Sequence, residues 1–236
     1  MVSIDASAAE SLSNSVVEVQ SYAGTTAELH ALPMPTAGER AALWVMAPTK
    51  AALAMGSSQT ADQFDQERLA ADGVELAPRR SGGGAVFIDP ASTVWIDLVA
   101  PRSSLLWSSE LAENFLLVGR IWQQALAAIG VDSELCVESS ARTDAATWAC
   151  WAGLGWGELV HGPEGAKLVG LSQRRTRWGC RVQAMAVLNR ASTRVSDYLL
   201  EPGRSLVQGT IASTQVPVEP AALEAAVLRA FSIASD

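Results

Sequence analysis

The feature that most restricts this chain is a run of three consecutive glycines, Gly82-Gly83-Gly84, set between segments of β-forming character. Ahead of it Val74-Glu75-Leu76-Ala77 reads as a strand running into Pro78, and behind it Ala85-Val86-Phe87-Ile88 reads as another. Val94 to Val99 follows an Asp89-Pro90 turn, so a hairpin-like unit with a glycine loop at its head is expected. Glycine has no Cβ, so this backbone can take dihedrals closed to other residues and lie against a ligand. Its N–H groups can face an anion, and Arg79 and Arg80 just before it would add charge for phosphate or carboxylate. Taken alone, such a run is more often an ordinary turn. A dinucleotide-binding turn is excluded because β-forming residues follow where a helix should start. A Walker A loop is excluded because no Gly-Lys-Ser/Thr occurs.

Short strands and helices alternate around this unit. Ala41 to Met46 reads as a buried strand ended by Pro48, with Leu53 to Gly56 as a second apolar piece. Ala61 to Asp72 has helical composition and stops at Gly73. The clearest helix spans Ser109 to Ile129, where Leu111, Phe115, Val118, Trp122, Ala125 and Ile129 recur at helical spacing before Gly130. Thr147 to Gly157 is expected to be an irregular loop. Glu158 to Val160 and Ala166 to Ser172 read as strands paired across Gly162-Pro163, Ala184 to Leu188 as another strand, and Pro220 to Phe231 as a final helix. The order implies an α+β fold with a mixed sheet, in one domain over residues 1–236 with residues 1–25 as a poorly ordered tail.

Composition narrows the function. Seventeen Lys plus Arg against 25 Asp plus Glu, a formal charge of −8, argues against nucleic acid and a basic membrane face as partners. Apolar runs fall well short of the ~20 residues that span a bilayer, and the first residues do not read as a signal peptide. Three cysteines without a CxxC pair, and two histidines, give neither a disulfide framework nor a structural zinc site. Reduced thiols in a cytoplasm are expected.

Three further features could carry chemistry. Lys167, one of only two lysines, lies in an apolar segment and could neutralise a developing phosphate or carboxylate charge, or simply snorkel from an edge strand. Arg174 to Arg181 packs four arginines into eight positions, suited to phosphate or an acidic partner, or to a solvated loop. Cys180 has arginines nearby that would lower a thiol pKa, whereas Cys150 sits among Trp148, Trp151 and Trp156, company that would raise it. His161 is a weak candidate base for either thiol. Cys136 reads as a buried strand residue.

Together these pieces resemble the lipoate–protein ligase A family, within the biotin/lipoate A/B ligase catalytic-domain superfamily. Gly56-Ser57-Ser58-Gln59, then Arg79-Arg80-Ser81-Gly82-Gly83-Gly84-Ala85-Val86-Phe87-Ile88-Asp89, then Lys167-Leu168-Val169-Gly170-Leu171-Ser172-Gln173-Arg174 follow the family's three motifs in order. The resemblance implies a mixed, largely antiparallel sheet flanked by helices, related to class II tRNA synthetases and biotinyl-lipoyl ligases. It implies activation of lipoate by ATP with magnesium to lipoyl-AMP, followed by transfer to a lysine of a lipoyl domain. Acceptors would be 2-oxoacid dehydrogenase subunits or the glycine cleavage H protein. There would be no permanently bound cofactor, and the residues leave the metal site unassigned. By resemblance Lys167 would be catalytic, touching the acyl carbonyl and phosphate. Arg79, Arg80, Ser81, Gly82, Gly83, Gly84, Ala85, Gly170, Ser172 and Gln173 would line the acyl and adenylate groove.

Departures leave alternatives. Ile88 stands where the family commonly has His, and no accessory C-terminal domain is expected after the catalytic one. A related branch transfers octanoate or lipoate through a cysteine thioester without ATP, and Cys180 and Cys150 each match half of such a pattern. A non-catalytic relative that binds the acyl ligand or a lipoyl domain is the remaining alternative.

Overall fold

The longest apolar β-forming runs end at the centre of the fold. The computed structural model describes residues 3–4, 17–34, 36, 40–138, 143–162, 165–212, 216 and 218–234. Its main sheet runs in the order β1 (Ser3–Ile4), β2 (Glu18–Gly24), β3 (Ala42–Pro48), β7 (Thr93–Pro101), β11 (Gly179–Val187), β10 (Ala166–Thr176), β9 (Leu159–His161) and β8 (Glu134–Leu135). Only β2 and β3 are parallel. Strands β7 and β11 are buried along their whole length, as strands covered on both faces must be. On one face α3 (Leu111–Ala128) and α7 (Pro220–Ala234) pack over Ile96, Leu98, Val182 and Ala184. On the other lies a small sheet ordered β5 (Glu75–Pro78), β4 (Ala52–Met55), β6 (Val86–Ile88), with α1 (Thr26–Ala31) and α2 (Gln66–Ala71). This is the mixed, largely antiparallel α+β arrangement expected.

Three local expectations differ from what forms. The segments on either side of Asp89-Pro90 are not a hairpin: β6 pairs with β4 in the small sheet, whereas β7 pairs with β3 and β11 in the large one. All three residues of β6 are buried between the sheets, so the turn links two layers and the glycine loop faces the gap between them. The helix expected over 61–72 breaks at Phe64, which is buried and bridges to Leu199, and α2 restarts with the Asp65 carboxylate accepting from the Arg68 N–H. Tertiary pairing overrides local propensity there. The aromatic, glycine-rich loop begins with a helix, α4 (Asp144–Trp148), capped by Thr143. Of the expected tail, residues 1–2 and 5–16 lie outside the described residues, and 18–24 form β2. No helix among the described residues is long and apolar enough to cross a membrane.

Inside the large sheet sits a buried polar group. Asp97 on β7 accepts from the Arg181 Nε at 2.6 Å and from the Trp95 Nε1 at 2.6 Å, and Arg181 Nη2 donates to the Leu29 carbonyl of α1 at 3.0 Å. A Thr25–Glu28 capping box starts α1, and Arg181 ties down its far end. His30 is thereby held against the sheet, 6% exposed.

Candidate active site

The glycine loop is pinned from both ends. The Gly56 N–H donates to the Gln59 Oε1, and Gln59 Nε2 donates to the Trp148 carbonyl, so the Gly56–Gln59 turn is tied to the end of α4 beside the loop. Ala85 forms a parallel bridge with Ala149, its N–H donating to Trp148 O at 2.8 Å while Cys150 N–H donates to Ala85 O at 2.9 Å. A Cβ on Gly84 would stand 2.4 Å from the Ala149 nitrogen, so only glycine permits this approach. Gly83 has φ +96°, in the left-handed range. Arg79, buried, closes the loop by donating from Nη2 to the Gly84 carbonyl at 2.8 Å.

A bulge aims Lys167. Strand β10 shifts register against β9 between Lys167 and Val169, so Leu168 and Val169 both enter the helical-side core. The ammonium of Lys167 bonds to Glu158 Oε1 at 2.7 Å, Cys150 O at 3.0 Å and Gly153 O at 3.2 Å, and its Nζ lies 3.8 Å from Cys150 Sγ and 5.0 Å from the Trp151 ring centre. Glu158, also buried, accepts from the Gly155 and Leu171 N–H groups. Burial presses Lys167 to lose its proton, but the Cys150 sulfur and the Glu158 carboxylate outweigh it and hold the pKa above its ordinary value. The site therefore carries a fixed ammonium.

Lys167, Gly82, Gly83, Cys150, Ser172 and Gln173 line one cleft of about 380 Å³. Behind it lies an internal cavity of about 30 Å³, mostly apolar, which shares Cys150, Leu171 and Ser172 with the cleft and reaches His30, Arg79, Ile88, Gly170 and Gln183. Ser81 and Ser172 face each other across Gln183 Oε1, to which both hydroxyls donate, at 3.2 and 3.4 Å. A cationic, glycine-lined cleft that also carries Leu111, Phe115 and Leu171 can hold a carboxylate by its head and an apolar chain by burial.

Not every expected site residue joins. Gly84 and Ala85 are buried behind the loop and line neither space; Arg80 is exposed beside Arg174, whose pKa burial and the charges of Arg80 and Arg181 lower. Cys180 is fully buried on the helical side of the sheet, its sulfur 3.8 Å from Asn114 Oδ1. Burial pushes its thiol up, the reverse of what the arginines beside it in sequence suggest, because alternate residues of a strand point to opposite faces. His161 is turned to the Asp132 carbonyl, not to a thiol. Gln183 belongs to the site but carried no role from sequence, whereas His30 stood only as a candidate base and Glu158 only as a loose match to the cysteine-transferase pattern. The Thr25-x-x-Glu28 capping pattern could have placed His30 on a helix, and Glu158 is the one acid in an otherwise apolar segment. Gln183 depends on its pairing with Ser172, which no local signal reveals.

Comparison with known proteins agrees with the fold. The family model for the lipoyl protein ligase A/B catalytic domain matches residues 30–232. No curated protein matches. Among solved structures, a Thermoplasma acidophilum protein described as a lipoate protein ligase, with bound lipoic acid, is 16% identical over 93% of this chain and 85% of its own, with a TM-score of 0.68. A lipoate-protein ligase A bound with ATP is 16% identical over 93% of this chain and 84% of its own (TM-score 0.67). A bipartite T. acidophilum lipoate protein ligase, studied with its E2 lipoyl domain, is 16% identical over 83% of this chain and 71% of its own (TM-score 0.65). The chain belongs to the lipoyl protein ligase A/B catalytic-domain family.

Proposed function

We propose that this chain acts as a cytoplasmic lipoate–protein ligase. An oxygen of the lipoate carboxylate attacks the α-phosphorus of magnesium-bound ATP, displacing pyrophosphate and forming lipoyl-AMP. The neutral amine of an acceptor lysine then attacks the acyl carbon, AMP leaves, and the amine proton passes to solvent. The observation that carries this reading is that the Lys167 ammonium and the Gly82-Gly83 backbone line one cleft, together with the apolar Leu111, Phe115 and Leu171. Lys167 stabilises negative charge on the carboxylate and α-phosphate in the first step and on the acyl oxygen in the second. All three of its protons are already engaged, so a substrate oxygen takes the place of one carbonyl, and Gly153 O at 3.2 Å is the most weakly held. Arg80 and Arg174, close enough for their charges to interact, suit the triphosphate. Lipoyl domains of 2-oxoacid dehydrogenases or of the glycine cleavage H protein are the acceptors.

Lipoate-dependent exchange of pyrophosphate into ATP tests the reading: exchange is expected with lipoate and absent without it. Its absence, with an acyl-carrier thioester used as donor instead, would favour a second reading. That reading is an ATP-independent transferase forming a thioester on Cys150, supported by the partly exposed Sγ lying 3.8 Å from Lys167 Nζ. Cys150→Ala should leave exchange in place under the first reading and abolish transfer under the second. Failure of both assays with ligand binding retained would leave the binding relative.

Gly83→Val should weaken lipoate binding at least about tenfold, because a β-branched residue at positive φ costs roughly 1–2 kcal/mol and fills the cleft. Its Cβ would also press on the Arg79 Nη2 at 2.8 Å. Calorimetric titration with lipoate reads the effect, and unchanged affinity would remove Gly83 from the groove.

A further inference from the structure

Residues 102–109 and 174–179 hold four arginines and no acid, in a chain with 25 Asp plus Glu against 17 Lys plus Arg. The two segments form one surface. The Arg102 N–H donates to the Trp178 carbonyl at 2.8 Å, and the Arg175 guanidinium donates to the Ser108 and Ser109 carbonyls at 3.1 and 2.9 Å. The turn between β10 and β11 is thereby tied to the loop ahead of α3. Arg102 and Arg175 lie over the Trp107 ring, 4.8 and 5.7 Å from its centre, and Arg177 lies over the Trp178 ring at 4.7 Å. All three arginines are exposed, and among the described residues none of them forms an ion pair. The acids that follow, Glu110 and Glu113, lie at the start of α3, where the Ser108 hydroxyl engages Glu113. The same segments leave Leu105 99% and Trp178 41% exposed.

Guanidinium groups held against indole rings and left without anions lose little freedom on binding, and Trp and Arg are the side chains that anchor protein interfaces. The surface adjoins the candidate site. Gln173 lines the cleft, and Arg175 follows two residues along the same face of β10, roughly 7 Å away. Leu111, two residues past the Ser109 carbonyl that Arg175 holds, lines the cleft as well. We infer that this face docks an acidic protein domain carrying the acceptor lysine, its carboxylates meeting Arg102, Arg175 and Arg177 and an apolar side chain meeting Trp178. This rests on the proposed transfer to a lysine of a lipoyl domain, and adds where that domain sits. Nucleic acid and anionic membranes are negative too, but each spreads its charge far wider than three arginines can match, and the chain as a whole is acidic.

Calorimetric titration of the whole protein with an apo-lipoyl domain of net negative charge provides the test. Raising the salt from about 0.1 to about 1 M shortens the Debye length from about 10 to about 3 Å, and should weaken binding at least about tenfold. The double variant Arg102→Glu/Arg177→Glu should weaken binding by about tenfold at low salt and remove most of the salt dependence. Its lipoate-dependent pyrophosphate exchange, which needs no acceptor, should stay at the unmodified rate. Trp178→Ala, which alters no charge, should weaken binding and keep the salt dependence. No binding to the unmodified protein, or binding indifferent to salt, overturns the inference whether or not the variants fold. Unchanged affinity in the folded double variant overturns it also, as does tighter binding of a single-stranded oligonucleotide or of phosphatidylserine vesicles than of the domain. Docking without any pyrophosphate exchange would support the inference while removing the ligase reading. Exchange alongside docking that ignores the double variant would do the reverse.

Discussion

Lys167→Met is expected to lower acyl transfer about a thousandfold, the loss that follows when a fixed charge facing developing negative charge is removed. It is also expected to destabilise the fold, because Glu158, 5% exposed, would keep a buried charge without its partner. Breaking such a pair from one side costs roughly 3–5 kcal/mol. The double variant Lys167→Met/Glu158→Gln separates the two effects. Removing both charges should restore much of the lost stability, read as the thermal midpoint, and none of the lost activity. A double variant that regains turnover along with stability would mean that Lys167 serves the fold alone. The charge should also hold over the working pH range. The folded pKa lies above the ordinary 10.5, so the pair's stabilisation is complete below pH 10.5 and is lost as pH rises through the folded value. No fall in activity between neutrality and pH 10 should therefore trace to this group.

Asp97→Ala should cost about 3–5 kcal/mol, roughly a fifth or more of the stability of a typical domain. Its carboxylate is wholly buried between β7 and β11 and is the anion paired with Arg181, itself 2% exposed. Without it a guanidinium remains in the sheet interior with the Leu29 carbonyl, which cannot balance its charge. The damage should spread, since Arg181 holds the end of α1 that positions His30. Urea unfolding measures the loss. A change below 1 kcal/mol would show that water or rearrangement relieves Arg181, and that the buried pair does not hold the sheet together.

The fold was largely legible because its main signals are local. Apolar runs at 94–99 and 184–188, and the helical spacing of Leu111 to Ile129, each stand on their own residues and reappear as β7, β11 and α3. The hairpin expected at Asp89-Pro90 failed because a turn does not state whether its flanks pair with each other or with other strands. Within the site, the glycine run and Lys167 stood out through residue type alone. The roles of Glu158 and Gln183 did not, since they follow from a bulge in β10 and from the β10–β11 register. Cys180 misled for a related reason: Arg181, its neighbour in the strand, points to the opposite face, and burial outweighs the pull of Arg175 across the ladder.

In the proposed mechanism the Lys167 ammonium and the glycine loop enclose one activated carboxyl. A crystal structure with a non-hydrolysable lipoyl-adenylate analogue tests it most directly. The acyl oxygen should lie within hydrogen-bonding distance of Lys167 Nζ, and the adenylate linkage against Gly82 and Gly83. An analogue seated elsewhere, with the bonds from Lys167 to Cys150 O and Gly153 O undisturbed, would contradict it.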